Sequence, residues 1–174
     1  MNNTAHLLVT ADPKNPQHGT LRYGARVFAC VLGRSGIRTD KREGDGATPT
    51  GIFPLRRVLY RGDRLPHIKT HLPSAAIARD NGWCDAPDDP RYNQPVKLPY
   101  PASTESMWRD DELYDVVVVL GHNDDPVVPY AGSAIFMHVA SDEPTAGCVA
   151  LAREDLLAIL ESAGPGAMME IRGA

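Results

Sequence analysis

Glycine and proline recur along the whole chain and limit the length of any regular element. The 174 residues include 15 glycines and 15 prolines. Proline lacks a backbone N–H and glycine weakens helix interiors, so long helices are disfavoured and short strands joined by turns are favoured. A chain of this length buries a core without metal or disulfide staples. The sequence therefore predicts a mainly β protein that forms a single domain over residues 1–174.

Patterns of apolar residues mark the elements. Alternating runs indicate strands, and the continuous run VVVVL (Val116–Leu120) indicates a central strand covered on both faces. These patterns predict strands at His6–Asp12, within 19–33, at 52–60, 114–123, 133–139 and 167–171. A helix is predicted only after residue 152, where apolar residues recur at helical spacing, acids occupy the first turn and Gly164-Pro165-Gly166 follows.

The stretch 61–112 has a different composition. It contains seven prolines, with tryptophans and tyrosines set among charges, and shows no convincing periodicity. Long segments of this kind are typical of binding loops, and the aromatic residues disfavour disorder. We expect a long loop that acts as a lid or cleft wall, with Trp83 contacting substrate. A surface flap that only packs on the domain is the alternative.

Charge and hydropathy exclude two classes of partner. The net charge is −4 and the basic residues are scattered, so we expect no nucleic-acid partner. No apolar run approaches the roughly 18 residues of a membrane span, so we expect no transmembrane segment. The first twelve residues show no secretory signal pattern. The three cysteines are far apart and form no CxxC pair, which disfavours disulfides and structural zinc.

One histidine and one cysteine lie ten positions apart in FMHVASDEPTAGCVAL (136–151). A cysteine attacks acyl carbons as its thiolate, which a nearby imidazole supplies by accepting the proton and holding the ion pair. Cys148 and His138 meet this requirement. Gly147 allows close approach of a substrate, and backbone N–H groups there suit an oxyanion. Spacing alone leaves open a buried structural thiol beside an unrelated core histidine.

Two separated motifs resemble the YkuD-type L,D-transpeptidase catalytic domain. One is a strand histidine, a loop and then Ser/Thr-x-Gly-Cys, here His138 followed by Thr145 to Cys148. The other is the segment GDGATPTGIFPL (44–55), which is similar to the family's G-x-x-x-TP-x-G-x-F block. The resemblance covers about residues 6–172 and is weakest across 61–112. It implies a β-sandwich-like fold with one helix after the catalytic cysteine.

The resemblance also implies an activity and a set of roles. Cys148 would transfer acyl groups between peptidoglycan stem peptides, with His138 as base and then acid and the carbonyl of Val139 orienting the imidazole. Thr145 of the motif is a candidate substrate-binding residue; His122, Asn123 and Trp83 are further candidates from their positions after a buried strand and in the 61–112 segment, and not from the resemblance. No cofactor is implied, carbapenems are the expected inhibitors, and the substrate places the enzyme in the periplasm.

The motif departs from the family pattern at two positions. Many relatives have histidine directly before Gly-Cys and arginine or asparagine two positions after the cysteine, whereas this chain has Ala146 and Ala150. Both 3,3-type and 1,3-type cross-links are therefore possible products. His122 is a candidate substitute for the missing imidazole, although a histidine and Asn123 that only shape a turn explain the same residues.

Three other functions stay open. With water as acceptor, the same nucleophile gives an L,D-carboxypeptidase or endopeptidase. A cell-wall binding module would keep the fold without the chemistry. A metal enzyme is the weakest reading, because Pro66 and Pro73 bracket His67 and His71 and disfavour the helix that would place both rings on one side.

Overall fold

A computed structural model describes residues 6–173 of the chain. The first five residues of the stretch considered for a secretory signal lie outside this range. The fourteen strands are β1 (His6–Asp12), β2 (Asn15–Tyr23), β3 (Arg26–Val31), β4 (Ile37–Arg38), β5 (Thr48–Pro49), β6 (Gly51–Tyr60), β7 (Ser74–Ala76), β8 (Asn81–Cys84), β9 (Pro95–Lys97), β10 (Thr104–Ser106), β11 (Val116–Leu120), β12 (Phe136–Val139), β13 (Val149–Leu151) and β14 (Met168–Arg172). The helix α1 (Arg153–Leu160) lies between β13 and β14.

The large sheet closes on itself. Its nine strands run in the order β11-β12-β13-β3-β2-β1-β14-β6-β7, and β11 also pairs with β6. The long strand β6 makes closure possible, because its first half pairs with β14 and its second half with β11. Leaving out β7, which pairs with the end of β6, the other eight strands form a barrel without free edges. The predicted class, mainly β with one helix after the cysteine, is confirmed, and the layers join as a barrel.

Strand β11 separates two apolar clusters, which is why its sequence is apolar at every position. Val116 and Val118 face the main core, together with Met137 and the helix residue Leu156. Val117 faces the opposite side, where a second cluster contains Phe136, Cys148, Trp83, Met107 and Tyr114. Both faces are covered, as the continuous apolar run predicts. The second cluster lies under the 61–112 segment and beside the candidate nucleophile.

The 61–112 segment corrects one expectation. It contains β7, β8, β9 and β10, and the last three form a small antiparallel sheet in the order β10-β8-β9. Strands of three or four residues are too short to produce a visible alternation, and Pro95 stands at the first position of an edge strand, where its missing N–H is tolerated. The segment is thus a folded layer over β11 rather than a long irregular loop.

A buried carboxylate joins three elements. Asp115, which is 1 % exposed, precedes β11 and accepts hydrogen bonds from Arg64 Nη1 at 2.6 Å and from Arg153 Nη1 at 3.2 Å. Arg64 belongs to the segment after β6, and Arg153 is the first residue of α1. The carboxylate therefore fixes the helix start and the 61–65 turn to the central strand.

We expect Asp115→Ala to lower the free energy of unfolding by about 2–3 kcal/mol. This is less than the roughly 3–5 kcal/mol of a fully buried pair, because both arginines keep some contact with solvent. Urea denaturation followed by circular dichroism measures the change. Glu112→Ala removes an exposed carboxylate three residues away and should change the free energy by less than about 0.5 kcal/mol. Equal losses in both variants would contradict this role for Asp115.

Candidate active site

Strand register brings the two candidate catalytic side chains to one face. β12 and β13 run parallel, with His138 opposite Ala150 and Met137 opposite Val149. Cys148 immediately precedes β13 and lies two positions before Ala150, so its side chain points to the same side as that of His138. Both residues line a single cavity of about 500 Å³. The structure therefore places the thiol and the imidazole in one site.

The turn before the cysteine is held by short-range and long-range contacts. Gly147 has φ 140°, and a Cβ there would lie 2.7 Å from the carbonyl oxygen of Ala47. The Thr145 hydroxyl donates to the carbonyl of Cys148 at 2.8 Å and accepts the Gly147 N–H at 3.1 Å. Thr48 Oγ1 also donates to the Cys148 carbonyl, at 3.4 Å. Only glycine fits at position 147, and Thr145 shapes the turn.

The sulfur of Cys148 is surrounded by backbone. It donates to the carbonyl of Ala134 at 3.3 Å and accepts the N–H of Phe136 at 3.4 Å. The residue is 7 % exposed. Burial, followed by the negative charge of Glu105, raises the pKa of the Cys148 thiol to about 12. The free protein therefore holds a neutral thiol at physiological pH.

The imidazole of His138 is oriented by its own strand. Its Nδ1 lies 2.8 Å from the carbonyl oxygen of Val139, so Nδ1 carries the proton and Nε2 is left as the acceptor. The edge of the ring meets the Tyr114 ring at a centroid distance of 5.4 Å. Burial lowers the pKa of His138 to about 4. The ring is therefore neutral at pH 7 and suited to accept a proton.

Comparison with known proteins agrees with this geometry. The family model of the L,D-transpeptidase catalytic domain, YkuD, matches residues 7–171. The chain belongs to the YkuD family. Searches of curated proteins and of solved structures find no match. Membership supports an L,D-transpeptidase-family function on peptidoglycan, and this family is of the acyltransferase type.

Two substrate-binding candidates of this YkuD domain lie outside the cavity lining. His122 Nε2 is 3.0 Å from the carbonyl of Ala131, and the Asn123 side chain bonds three backbone groups of the 128–132 turn. Burial lowers the pKa of His122. Both side chains satisfy local backbone groups, so this corrects their assignment to substrate binding: they shape the turn that leads to β12.

Trp83 also requires a correction. It is 6 % exposed, packs edge-on against Phe136 at 5.0 Å and donates its Nε1–H to Asn93 Oδ1 at 3.0 Å. It does not line the cavity that contains Cys148. We therefore reassign Trp83 to the second apolar cluster, where it supports the strand that carries His138. Among the substrate-binding candidates, Thr145 alone lines the cavity.

Asn93 is a site residue that sequence reasoning missed. Its side chain is buried, accepts the Ala134 N–H at 3.0 Å and donates to the backbone carbonyls of His122 and Asn123 at 3.0 and 2.8 Å. It thereby holds the N–H of Ala134, the residue whose carbonyl oxygen accepts the Cys148 thiol. A single asparagine in a proline-rich stretch carries no sequence signal of such long-range bonding.

The charged lining was missed as well. The sequence does not show that Arg34, Lys41, Glu43, Asp85, Glu105 and Arg109 surround the cavity. Within residues 6–173, no group of three His, Cys, Asp or Glu residues is placed to hold a metal ion, and the pair His67 and His71 forms no such cluster. In the same range, no helix is long and apolar enough to cross a membrane.

The two pKa shifts predict a specific pH dependence for Cys148 alkylation. A free thiol, with a pKa of about 8.5, approaches full ionisation near pH 9.5. Cys148, with a pKa near 12, should react with iodoacetamide far more slowly than N-acetylcysteine at pH 7, and its rate should rise about tenfold per pH unit from pH 7 to 10. Peptide mapping after timed labelling distinguishes Cys148 from Cys30 and Cys84. A plateau near pH 6–7 would reveal a preformed thiolate–imidazolium pair and contradict the neutral resting state.

Proposed function

We propose that this chain is a cysteine-dependent L,D-transpeptidase that cross-links peptidoglycan stem peptides through a thioester on Cys148. The observation that carries the proposal is the single cavity that both Cys148 and His138 line, with the imidazole Nδ1 held by the Val139 carbonyl. That contact leaves Nε2 as the unprotonated nitrogen of a ring that lines the cavity. A buried thiol with no base beside it would not support this chemistry.

The first half of the reaction forms the acyl-enzyme. Cys148 Sγ attacks the carbonyl carbon at the L-centre of a diamino acid, and His138 Nε2 accepts the thiol proton. The S–C bond forms, the C–N bond to the terminal D-residue breaks, and the imidazolium returns its proton to the leaving amine. Because the resting pair is neutral, proton transfer accompanies attack instead of preceding it.

The second half transfers the acyl group. The neutral amine of a second stem peptide attacks the thioester carbon, a C–N bond forms and the C–S bond breaks. His138 accepts the amine proton and returns it to the sulfur, which restores the starting state. The Gly147 N–H, which donates to Thr145 Oγ1 in the free protein, turns to the oxyanion of each tetrahedral intermediate together with the Cys148 N–H.

The type of cross-link depends on which acceptor amine the cavity binds. Ala146 is exposed at the cavity rim, where many relatives have histidine, and Ala150 is buried opposite His138. Alanine at both positions leaves the site without the polar side chains that many relatives have there. We therefore include 1,3-type cross-links beside 3,3-type as products, and the substrate places the reaction in the periplasm.

Cys148→Ala should reduce turnover of a tetrapeptide muropeptide by at least about 10⁴-fold, because removal of a nucleophile leaves only the binding contribution. Mass spectrometry of the products measures cross-linked dimers against trimmed monomers and identifies the linkage. Cys30→Ala removes another buried thiol, outside the cavity, and should retain turnover. Trimmed monomers without dimers in the wild type would assign a carboxypeptidase, and no turnover by either protein would favour a binding module.

A carbapenem should form a one-to-one covalent adduct with Cys148. The family resemblance implies this inhibition, and a strained β-lactam carbonyl suits the proposed nucleophile. Intact-mass measurement after incubation gives the stoichiometry, and peptide mapping gives the position. The adduct should be absent from Cys148→Ala. An adduct of the same yield in that variant would show that the nucleophile has been assigned incorrectly.

A further inference from the structure

Six charged side chains line the cavity, and several have partners within the chain. Lys41 is paired with Asp45, and Arg109 is paired through two hydrogen bonds, of 2.9 and 2.6 Å, with Asp111. The carboxylate of Glu43 accepts hydrogen bonds from the hydroxyls of Tyr92 and Ser133. Lys41, Arg109 and Glu43 therefore have partners within the protein, and these contacts stabilise the walls of the cavity.

Two carboxylates of the lining are less well satisfied. Asp85 Oδ1 is buried and has no hydrogen-bond partner within residues 6–173. Glu105 accepts one hydrogen bond, from the Tyr114 hydroxyl to Oε1, and nothing in the described part of the chain donates to its Oε2. A buried carboxylate oxygen without a donor costs free energy, which a ligand with N–H groups recovers. This cost applies to Asp85 Oδ1, whereas Glu105 Oε2 is an acceptor without a donor that lines the same cavity.

The small sheet places both carboxylates on one face. Glu105 in β10 is opposite Trp83 in β8, and Asp85 is two positions after Trp83. Alternate residues of a strand share a face, so Asp85 and Glu105 are diagonal neighbours on the face that contacts the second apolar cluster. The Asp85 N–H is fixed by the Ser103 carbonyl at 3.2 Å. The pair is thus held by a rigid element beside Cys148.

The two carboxylates of the pair carry like charges. Burial is the main cause of the raised pKa of Glu105; the Tyr114 hydroxyl and the charge of Arg109 lower that pKa, and the charges of Asp85 and Glu43 raise it. A positive group between the two carboxylates relieves this repulsion and fills the empty acceptor positions. In the described residues, no third carboxylate, thiol or imidazole joins them in a metal-binding group. Two acceptor sites on one face suit a primary ammonium group, which donates three hydrogen bonds.

We propose that Asp85 and Glu105 form the subsite for the ammonium group of the acceptor stem peptide. This inference rests on the proposed transpeptidase function and names the residues that select an amine over water. The acceptor binds as an ammonium ion, loses one proton to solvent and then attacks the thioester carbon in the amine transfer step. Glu105 and Cys148 line the same cavity, so an amine held at Glu105 lies in the cavity where the thioester forms.

Glu105→Gln and Asp85→Asn test the subsite while keeping the side-chain size, and Glu143→Gln is the matched control, an exposed carboxylate near the cavity mouth. The donor is a tetrapeptide stem whose own amines are acetylated, and the acceptor is a tripeptide stem with one free primary amine. Intact mass over time gives the rate of Cys148 acylation. Chromatography of the products gives the ratio of cross-linked to hydrolysed donor at several acceptor concentrations.

We expect Asp85→Asn to acylate within about twofold of the wild type while its ratio of transfer to hydrolysis falls about tenfold, which corresponds to roughly 1.4 kcal/mol. Glu105→Gln should lower the same ratio, while its acylation rate should not fall, because the Glu105 charge raises the pKa of Cys148. In both variants the acceptor KM should rise more than kcat falls. Hydroxylamine, a nucleophile that is uncharged at pH 7, should react equally with the acyl-enzymes of wild type and variant. A distorted cavity would slow both nucleophiles, whereas loss of an ammonium subsite slows only the charged one.

Three outcomes would overturn the subsite. The first is an unchanged ratio of transfer to hydrolysis in both variants, and the second is an equally large fall in the rate of reaction with hydroxylamine. The third is a fall in the rate of acylation, which would show that the carboxylates bind the donor. In each of them the wild type still forms the acyl-enzyme and the dimer, so the proposed transpeptidase function stands. A wild type that forms no acyl-enzyme at all would overturn the proposed function and this inference with it.

Discussion

The close approach of two distant backbone segments is the constraint on which the site depends. The carbonyl of Ala47 lies where a side chain at position 147 would have to be, and the Thr48 hydroxyl reaches the Cys148 carbonyl while accepting the Gly33 N–H at 2.8 Å. Residues 100 positions apart therefore have to meet before the nucleophile has a fixed position. This explains why the GDGATPTG segment and the TAGC turn occur together, since each supplies the surface against which the other packs.

Burial by the closed barrel and the small sheet accounts for the neutral state of Cys148 and His138. β12 lies between β11 and β13, so His138 has strands on both sides, and the small sheet covers the face above it. The same covering that raises the pKa of the Cys148 thiol lowers that of the imidazole, since both charged forms lose solvation. The thiol is thereby protected from ionisation and oxidation until a substrate enters. In the proposed mechanism the thiol leaves the Ala134 carbonyl and passes its proton to His138 during attack.

Sequence reasoning succeeded where the signal is local. The run at Val116–Leu120 predicted a strand covered on both sides, and the His-loop-Gly-Cys spacing, supported by the second motif, pointed to the family. It failed where a role depends on distant contacts. The polar residues His122 and Asn123 at a strand end suggested a cleft, yet their partners are backbone groups of the next turn. Asn93 and Glu105 lie in a stretch whose strands are too short to be visible as a pattern.

The barrel and the 61–112 layer make different contributions to the site. The barrel supplies Cys148, His138 and the turn at Gly147, the groups to which we assign the acyl transfer chemistry. The 61–112 layer supplies Asn93, which accepts the N–H of Ala134, and both of the carboxylates that are incompletely satisfied. Changes at Asn93 therefore reach the residue that accepts the Cys148 thiol, whereas Asp85 and Glu105 line the cavity itself. Selection between an amine and water is therefore expected to vary with the sequence of the small sheet, whereas the barrel motifs keep the thioester step.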